Sequence, residues 1–72
     1  MFKVNTFLLN GEKYHINTEY KITLFDLIIY FNYNTSLLIL EYNKLICNKN
    51  DWGNILITNN DEIELITIVG GG

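Results

Sequence analysis

Only one stretch of the sequence has the apolar spacing of a helix, and this limits the fold more than any other feature. Thr23 precedes the stretch as an N-cap, and Asp26 supplies the acid that favours a first helical turn. We expect the helix to end near Asn32, because asparagine tolerates left-handed backbone. The apolar residues recur at i, i+3, i+4 and i+7 and so form one stripe that can lie on a sheet: Leu24, Leu27, Ile28 and Phe31.

The N-terminal third of the chain has the pattern of a β-hairpin. Asn10-Gly11 accepts the positive φ angles of a type I′ turn and joins residues 2–9 to a return strand over residues 13–17. Alternation places Tyr14 and Ile16 on one face of that return strand. The inward face of the first strand stays open between two pairs: Val4 with Leu8, or Phe7 with Leu9.

The rest of the chain has the pattern of three further strands. Residues 37–42 and 45–47 are short and apolar and flank a turn at Asn43-Lys44. Residues 62–69 have almost no polar face, which predicts a central strand covered on both sides. Two strands, one helix, two short strands and a long last strand predict an α+β fold of the β-grasp type. In it a mixed sheet of four to five strands carries the helix across one face, and the first and last strands are parallel neighbours.

Three consecutive glycines, Gly70, Gly71 and Gly72, end the sequence. We expect a β-grasp domain over residues 1–69 and a flexible tail over residues 70–72. A terminal carboxylate is unreactive until an enzyme adenylates it with ATP, and residues without a Cβ fit the narrow channel that leads to the nucleotide. A frayed end without a role is the alternative.

Composition excludes several classes of function. The formal net charge is −3 and the chain has no arginine, which argues against a nucleic-acid partner. No apolar run approaches the roughly 18 residues of a membrane span, and no signal peptide is recognisable, so we expect a soluble, intracellular protein. The single cysteine, Cys47, provides neither an internal disulfide nor a metal-ligand pair. Abundant Ile, Asn, Lys, Tyr and Phe indicate an AT-rich gene, such as one from a plastid or a low-GC bacterium.

Several motifs together resemble the ThiS family of sulfur carriers, which are β-grasp relatives of ubiquitin. The resemblance rests on these elements at family-like spacing: the hairpin Asn10-Gly11-Glu12, residues 43–46 followed by Trp52, the turn at Asp61, and residues 68–72. It implies that Gly70, Gly71 and Gly72 enter a partner's active site, where the carboxylate of Gly72 is adenylated and then converted to a thiocarboxylate.

The resemblance also implies the partners and the location. A ThiF-like adenylating enzyme would use ATP, a further enzyme would donate sulfur, and the thiazole synthase ThiG would accept it for thiamine biosynthesis. The chain itself would be a carrier with no catalytic residue, no metal and no bound cofactor. We expect it in the plastid stroma or, alternatively, the bacterial cytoplasm. Two other functions remain open: a sibling carrier for molybdopterin synthesis or tRNA thiolation, and a β-grasp module that binds without covalent chemistry.

The remaining polar and aromatic residues support weaker predictions. Acidic residues near the last strand are candidates for a patch that meets a basic partner: Asp61, Glu62, Glu64 and Glu41. An exposed apolar patch beside the tail, with Phe7 or Ile66 as members, is the expected docking surface. We expect Cys47 to be a small buried hydrophobe, His15 to have no catalytic role, and Trp52 to anchor a loop on the sheet.

Overall fold

The computed structural model describes residues 4–68, so the predicted glycine tail lies outside the described residues. Within them, the elements are β1 (Val4–Leu9), β2 (Glu12–Asn17), α1 (Leu24–Tyr30), β3 (Leu38–Tyr42), β4 (Leu45–Cys47) and β5 (Glu62–Thr67). Two short 3-10 segments span Thr35–Leu37 and Lys49–Asn54. The sheet order is β2-β1-β5-β3-β4, with β1 and β5 parallel and the other pairs antiparallel. This arrangement confirms the predicted β-grasp with five strands.

Left-handed residues form the two tight turns that the sequence predicts. Asn10 and Gly11 have φ angles of 51° and 82°, and they join β1 to β2. Asn43 and Lys44 have φ angles of 52° and 71° and join β3 to β4 in the same way. Positive φ at both central residues gives a turn whose twist matches that of the flanking strands.

The helix begins at the predicted cap. Thr23 Oγ1 accepts a hydrogen bond from the Asp26 amide at 3.1 Å, and the Asp26 carboxylate accepts one from the Thr23 amide at 3.0 Å. This reciprocal pair satisfies two backbone donors that the helix would otherwise leave free. The helix ends one residue before Phe31, and Asn32 follows with a φ of 58°. Asparagine therefore ends the helix as expected.

The core lies between α1 and one face of the sheet. Leu24, Leu27 and Ile28 are buried there, and Phe31 packs at the margin, which confirms the predicted stripe. The structure decides the face of β1, because Phe7 and Leu9 point inward at 2% and 3% exposure. The remaining buried hydrophobic residues are Leu40, Trp52, Ile57, Ile63 and Leu65.

Trp52 anchors the loop segment Lys49–Asn54, as predicted, and this segment packs beside the helix. Its side chain is 1% exposed, and its indole N–H donates to the Cys47 carbonyl at 3.1 Å. A buried tryptophan needs such an acceptor for its N–H group. The segment after β4 is therefore fixed by both apolar packing and one directed hydrogen bond.

The prediction that the last strand is covered on both sides is wrong. Ile63 and Leu65 are buried, whereas Glu62, Glu64 and Ile66 are exposed. The reason is that the single helix packs on one face of the sheet, and among residues 4–68 no element covers the other face of β5. We call this uncovered side the outer face.

Candidate functional site

The chain leaves the sheet from its central strand. β5 lies between β1 and β3, and the Ile68 amide donates to the Leu37 carbonyl at 2.8 Å, one residue beyond the strand. Pairing therefore holds the backbone as far as Ile68. The predicted site residues Gly70, Gly71 and Gly72 lie outside residues 4–68, and their roles stay predictions.

Apolar side chains lie on the outer face next to this exit. Ile39 and Ile66 are directly opposite each other on β3 and β5, and Ile66 is 43% exposed. Ile68 and Leu37 follow at the same end of the two strands, at 49% and 46% exposure. We call these four residues the apolar patch. Exposed apolar residues that cluster in this way are typical of protein-binding surfaces.

The structure separates the two residues proposed for this surface. Ile66 is exposed, as a docking residue must be, and its role in docking stays a prediction, whereas the prediction for Phe7 is wrong. Phe7 faces the core and stacks on Tyr14, with ring centroids 5.7 Å apart. Sequence reasoning missed the other members of the patch. A usable signal was present, because β5 carries apolar residues on both faces while one helix can cover only one of them.

Three carboxylates follow the apolar patch along the outer face. Glu41 and Glu64 are directly opposite each other on β3 and β5, and the exposed Glu62 is the next outward residue on β5. We call these three residues the acidic stripe. Like charges directly across a sheet disfavour folding, and a basic partner surface would relieve that repulsion. The stripe and the patch together form one face with an apolar end and an acidic middle.

Asp61 does not belong to the acidic stripe, so that part of the prediction is wrong. Its side chain is 5% exposed because its carboxylate accepts hydrogen bonds from inside the fold. The donors are the Tyr42 hydroxyl at 2.9 Å, the Asn43 amide group at 3.2 Å, and the Thr58 amide and hydroxyl at 2.7 and 3.0 Å. Burial raises the pKa of Tyr42, and the bond to Asp61 raises that pKa further. Asp61 therefore fixes the entry to β5 and is structural.

Cys47 and His15 are chemically capable side chains outside the apolar patch and the acidic stripe. Cys47 is partly buried against the core, and burial, followed by the nearby charge of Asp51, raises its thiol pKa. A raised pKa keeps the thiol protonated at neutral pH and lowers its reactivity. His15 Nδ1 lies 2.9 Å from the Thr6 hydroxyl in an exposed pair across β1 and β2.

Residues 4–68 contain neither a membrane-spanning helix nor a cluster of metal-ligand side chains. No helix in this range is long and apolar enough to cross a membrane. Histidine, cysteine, aspartate and glutamate side chains in the same range form no group of three or more that could hold a metal ion.

Known proteins share both the sequence pattern and the fold. The family model described as "ThiS family" matches residues 7–72. Uncharacterized protein ycf40 of Trieres chinensis is 57% identical over 67 residues, covering 93% of this chain and 89% of that protein. Its namesake in Porphyra purpurea is 31% identical over 64 residues, covering 89% and 87%. A crystal structure of thiamine biosynthesis protein ThiS from Geobacter metallireducens superposes with a TM-score of 0.78 at 15% identity, covering 93% of this chain and 99% of that one.

Proposed function

The chain belongs to the ThiS family, and from that premise we propose that it is a sulfur carrier for thiazole formation in thiamine biosynthesis. In this proposal the Gly72 carboxylate is adenylated and then converted to a thiocarboxylate. Family membership and the shared β-grasp fold support a sulfur-carrier role. The chain acts as a co-substrate of other enzymes and supplies no catalytic residue of its own.

One observation carries the proposal: the family match extends through the last residue, so it includes the glycine end. Adenylation joins the terminal carboxylate to AMP and releases pyrophosphate. Hydrosulfide, supplied by the donor enzyme, then attacks the carbonyl carbon and displaces AMP, and loss of its proton leaves the thiocarboxylate. Gly70, Gly71 and Gly72 have no Cβ that would clash with the walls of an enzyme channel, and glycine adopts the backbone angles that such a channel imposes.

The outer face suits the docking of an adenylating enzyme beside that end. The apolar patch includes Ile68, which precedes Gly70 by two residues, so a partner seated on the patch would be close to the reacting terminus. The acidic stripe is complementary in charge to a partner surface that carries basic side chains next to its contact with the patch. We propose a ThiF-like enzyme as this partner, with ATP bound by the enzyme. The thiazole synthase ThiG would then accept the sulfur, which a separate donor enzyme provides.

We propose the plastid stroma as the location, with the bacterial cytoplasm as the alternative. The two relatives named ycf40 are proteins of algae. The strong bias of the sequence towards residues with AT-rich codons supports the same origin.

Intact-mass analysis tests the chemical step. The protein is incubated with a ThiF-type enzyme, ATP and a sulfur donor, and the C-terminal peptide is examined for the replacement of one oxygen by sulfur. We expect that replacement in the full chain and none when the Gly72 carboxylate is blocked as an amide, because no carboxylate is then available for adenylation. An unchanged mass with an enzyme that thiolates its own carrier would refute the proposal. Transfer to thiazole synthase, compared with transfer to molybdopterin synthase or a tRNA-thiolating enzyme, then distinguishes the sibling carriers.

A matched pair of variants tests the docking face. Ile66→Glu places a charge in the apolar patch, whereas Ile29→Glu makes the same change on α1, where the side chain is 56% exposed. We expect Ile66→Glu to raise the KM of the adenylating enzyme for the carrier about tenfold or more, as for a residue central to an interface. Ile29→Glu should leave that KM unchanged. Equal effects of the two substitutions would exclude the outer face as the docking surface.

A further inference from the structure

A second apolar surface lies on the opposite side of the sheet from the proposed docking face. It is a groove of about 560 Å³ between β2 and α1. Its apolar walls come from Tyr14, Ile16, Leu27, Tyr30 and Phe31, and Tyr20 stands at one end. Tyr20 and Tyr30 are 68% and 82% exposed, so large aromatic surface faces water here.

The groove runs beside β2, and among the described residues no strand pairs with the edge of β2 that lies opposite β1. β2 is the last strand of the sheet order and pairs with β1. A two-residue turn makes Leu9 and Glu12 a hydrogen-bonded pair, and such pairs alternate along an antiparallel ladder. The backbone groups of Lys13 and His15 therefore point away from β1. They present donors and acceptors with the spacing that an added strand requires.

The groove and the free edge together favour an extended peptide over a compact ligand. Tyr14 and Ile16 of β2 share the inward face with Phe7 and line the groove. Lys13 and His15 alternate to the outer face, although His15 also borders the groove. A strand added to β2 would continue this alternation, so every second side chain would lie in the groove. The backbone would then provide affinity, and the apolar side chains would fill the space between β2 and α1.

The charges at the two ends of the groove indicate which residues flank the apolar side chains of the bound peptide. At one end the Glu12 carboxylate accepts a hydrogen bond from the Tyr14 hydroxyl at 3.2 Å. Towards the other end the exposed Asp26 lines the groove, close to the N-terminus of α1. Carboxylates at both ends complement lysine or arginine on the bound segment.

We propose that the groove between β2 and α1 binds an extended, basic segment of a partner protein by strand addition. The segment has apolar residues at alternate positions and a lysine or arginine at each end. This surface lies on the helix side of the sheet, whereas the apolar patch and acidic stripe lie on the outer face. A partner held in the groove therefore leaves the outer face accessible, and the inference does not depend on the sulfur-carrier proposal.

A designed peptide tests the mode of binding. The probe is a peptide of about nine residues in which valine alternates with threonine between terminal lysines. Amide NMR spectra of the protein are followed during its addition. We expect the largest shifts at Lys13, His15 and the residues lining the groove, and small shifts at Ile39 and Ile66. Shifts centred on the outer face would overturn the proposal.

Two N-methylated versions of the probe distinguish strand addition from simple apolar contact. One carries N-methyl groups on the valines and the other on the threonines, so only one set blocks hydrogen bonds to β2. We expect one version to bind about tenfold more weakly and the other to bind like the parent. Equal binding by both versions would overturn the proposal. Groove shifts that depend on protein concentration alone would also overturn it, because a second copy would then occupy the site.

Charge and side-chain variants complete the test. A probe with terminal glutamates should bind about fivefold more weakly at low salt, because two weak ion pairs become repulsive. Equal binding would overturn the assignment of a basic segment. Tyr30→Ala removes part of the groove wall, and Phe25→Ala removes another exposed aromatic residue of α1 that does not line the groove. We expect Tyr30→Ala to weaken peptide binding and Phe25→Ala to leave it unchanged. The opposite result would refute the groove as the binding site.

Discussion

The buried carboxylate of Asp61 gives the sharpest test of how the fold holds its central strand. The substitution Asp61→Asn keeps the size of the side chain but replaces one acceptor oxygen with an amide group that donates. Each carboxylate oxygen accepts from one N–H group that cannot itself accept: the Asn43 side-chain amide on Oδ1 and the Thr58 backbone amide on Oδ2. Whichever oxygen the new amide group replaces, one of these two N–H donors loses its acceptor in a partly buried site.

The magnitude follows from these contacts. A hydrogen bond to a charged group contributes about 1.5–3 kcal/mol, and a buried unsatisfied group adds a penalty of similar size. We expect Asp61→Asn to lower the free energy of unfolding by about 2–3 kcal/mol. A domain of this length has a total of roughly 4–11 kcal/mol, so the loss is a large fraction. The melting temperature should fall by about 10–20 °C.

Urea unfolding followed by the fluorescence of the buried Trp52 measures this loss. Glu62→Gln is the matched control, because it makes the same chemical change at the next residue, where the side chain is exposed. That control should stay within about 0.5 kcal/mol of the unsubstituted protein. Tyr42→Phe removes one of the donors and should cost about 1 kcal/mol. A loss below about 0.5 kcal/mol for Asp61→Asn, or equal losses for Asp61→Asn and Glu62→Gln, would refute the assigned role.

Three further predictions concern a turn, the thiol and the acidic stripe. Gly11→Ala should lower the free energy of unfolding by about 1–2 kcal/mol, measured in urea, because the residue has a φ of 82°; no atom crowds the added Cβ, so a larger loss would contradict a purely backbone cost. Cys47 should react with iodoacetamide more slowly in the folded than in the urea-unfolded protein at pH 8, because burial and then Asp51 raise its pKa; equal rates would contradict this. Glu64→Gln should raise the unfolding free energy by up to about 0.5 kcal/mol at low salt, since it removes a like charge opposite Glu41; a gain that persists at high salt would exclude electrostatic repulsion as its cause.

Features that depend on a few neighbouring residues follow directly from the sequence. Asn10-Gly11 specifies its own turn, and Thr23 with Asp26 specifies the helix start, because the bonds that stabilise both features form within four residues. The helix stripe also specifies the side that packs on the sheet. These local rules, added together, were sufficient to predict the order of elements and the β-grasp fold.

Features that depend on distant partners were not predictable in the same way. Asp61 follows Asn59-Asn60 in a polar turn, and the local pattern is that of an exposed residue. Its burial is decided by Tyr42, nineteen residues earlier in the chain, whose hydroxyl reaches the carboxylate. The opposition of Glu41 and Glu64 likewise appears only when the register of β3 and β5 is known. Sequence patterns give the residues of a face but not their neighbours on the next strand.

The register of β5 links the stability of the fold to the composition of its proposed docking face. A shift of one residue would turn Glu62 and Glu64 towards the core and bury the wrong side of the strand. Side chains from two turns oppose that shift: the Asn10 side chain accepts from the Leu65 amide at 2.8 Å, and the Asn43 side chain accepts from the Glu62 amide at 2.8 Å. These asparagines contact neither Ile66 nor Ile68 in these bonds, yet they determine that both side chains lie on the outer face. Asparagine is abundant throughout this sequence. At these two positions, however, its side-chain oxygen binds a backbone amide of β5 and so helps to fix the register of the strand that leads to the C-terminus.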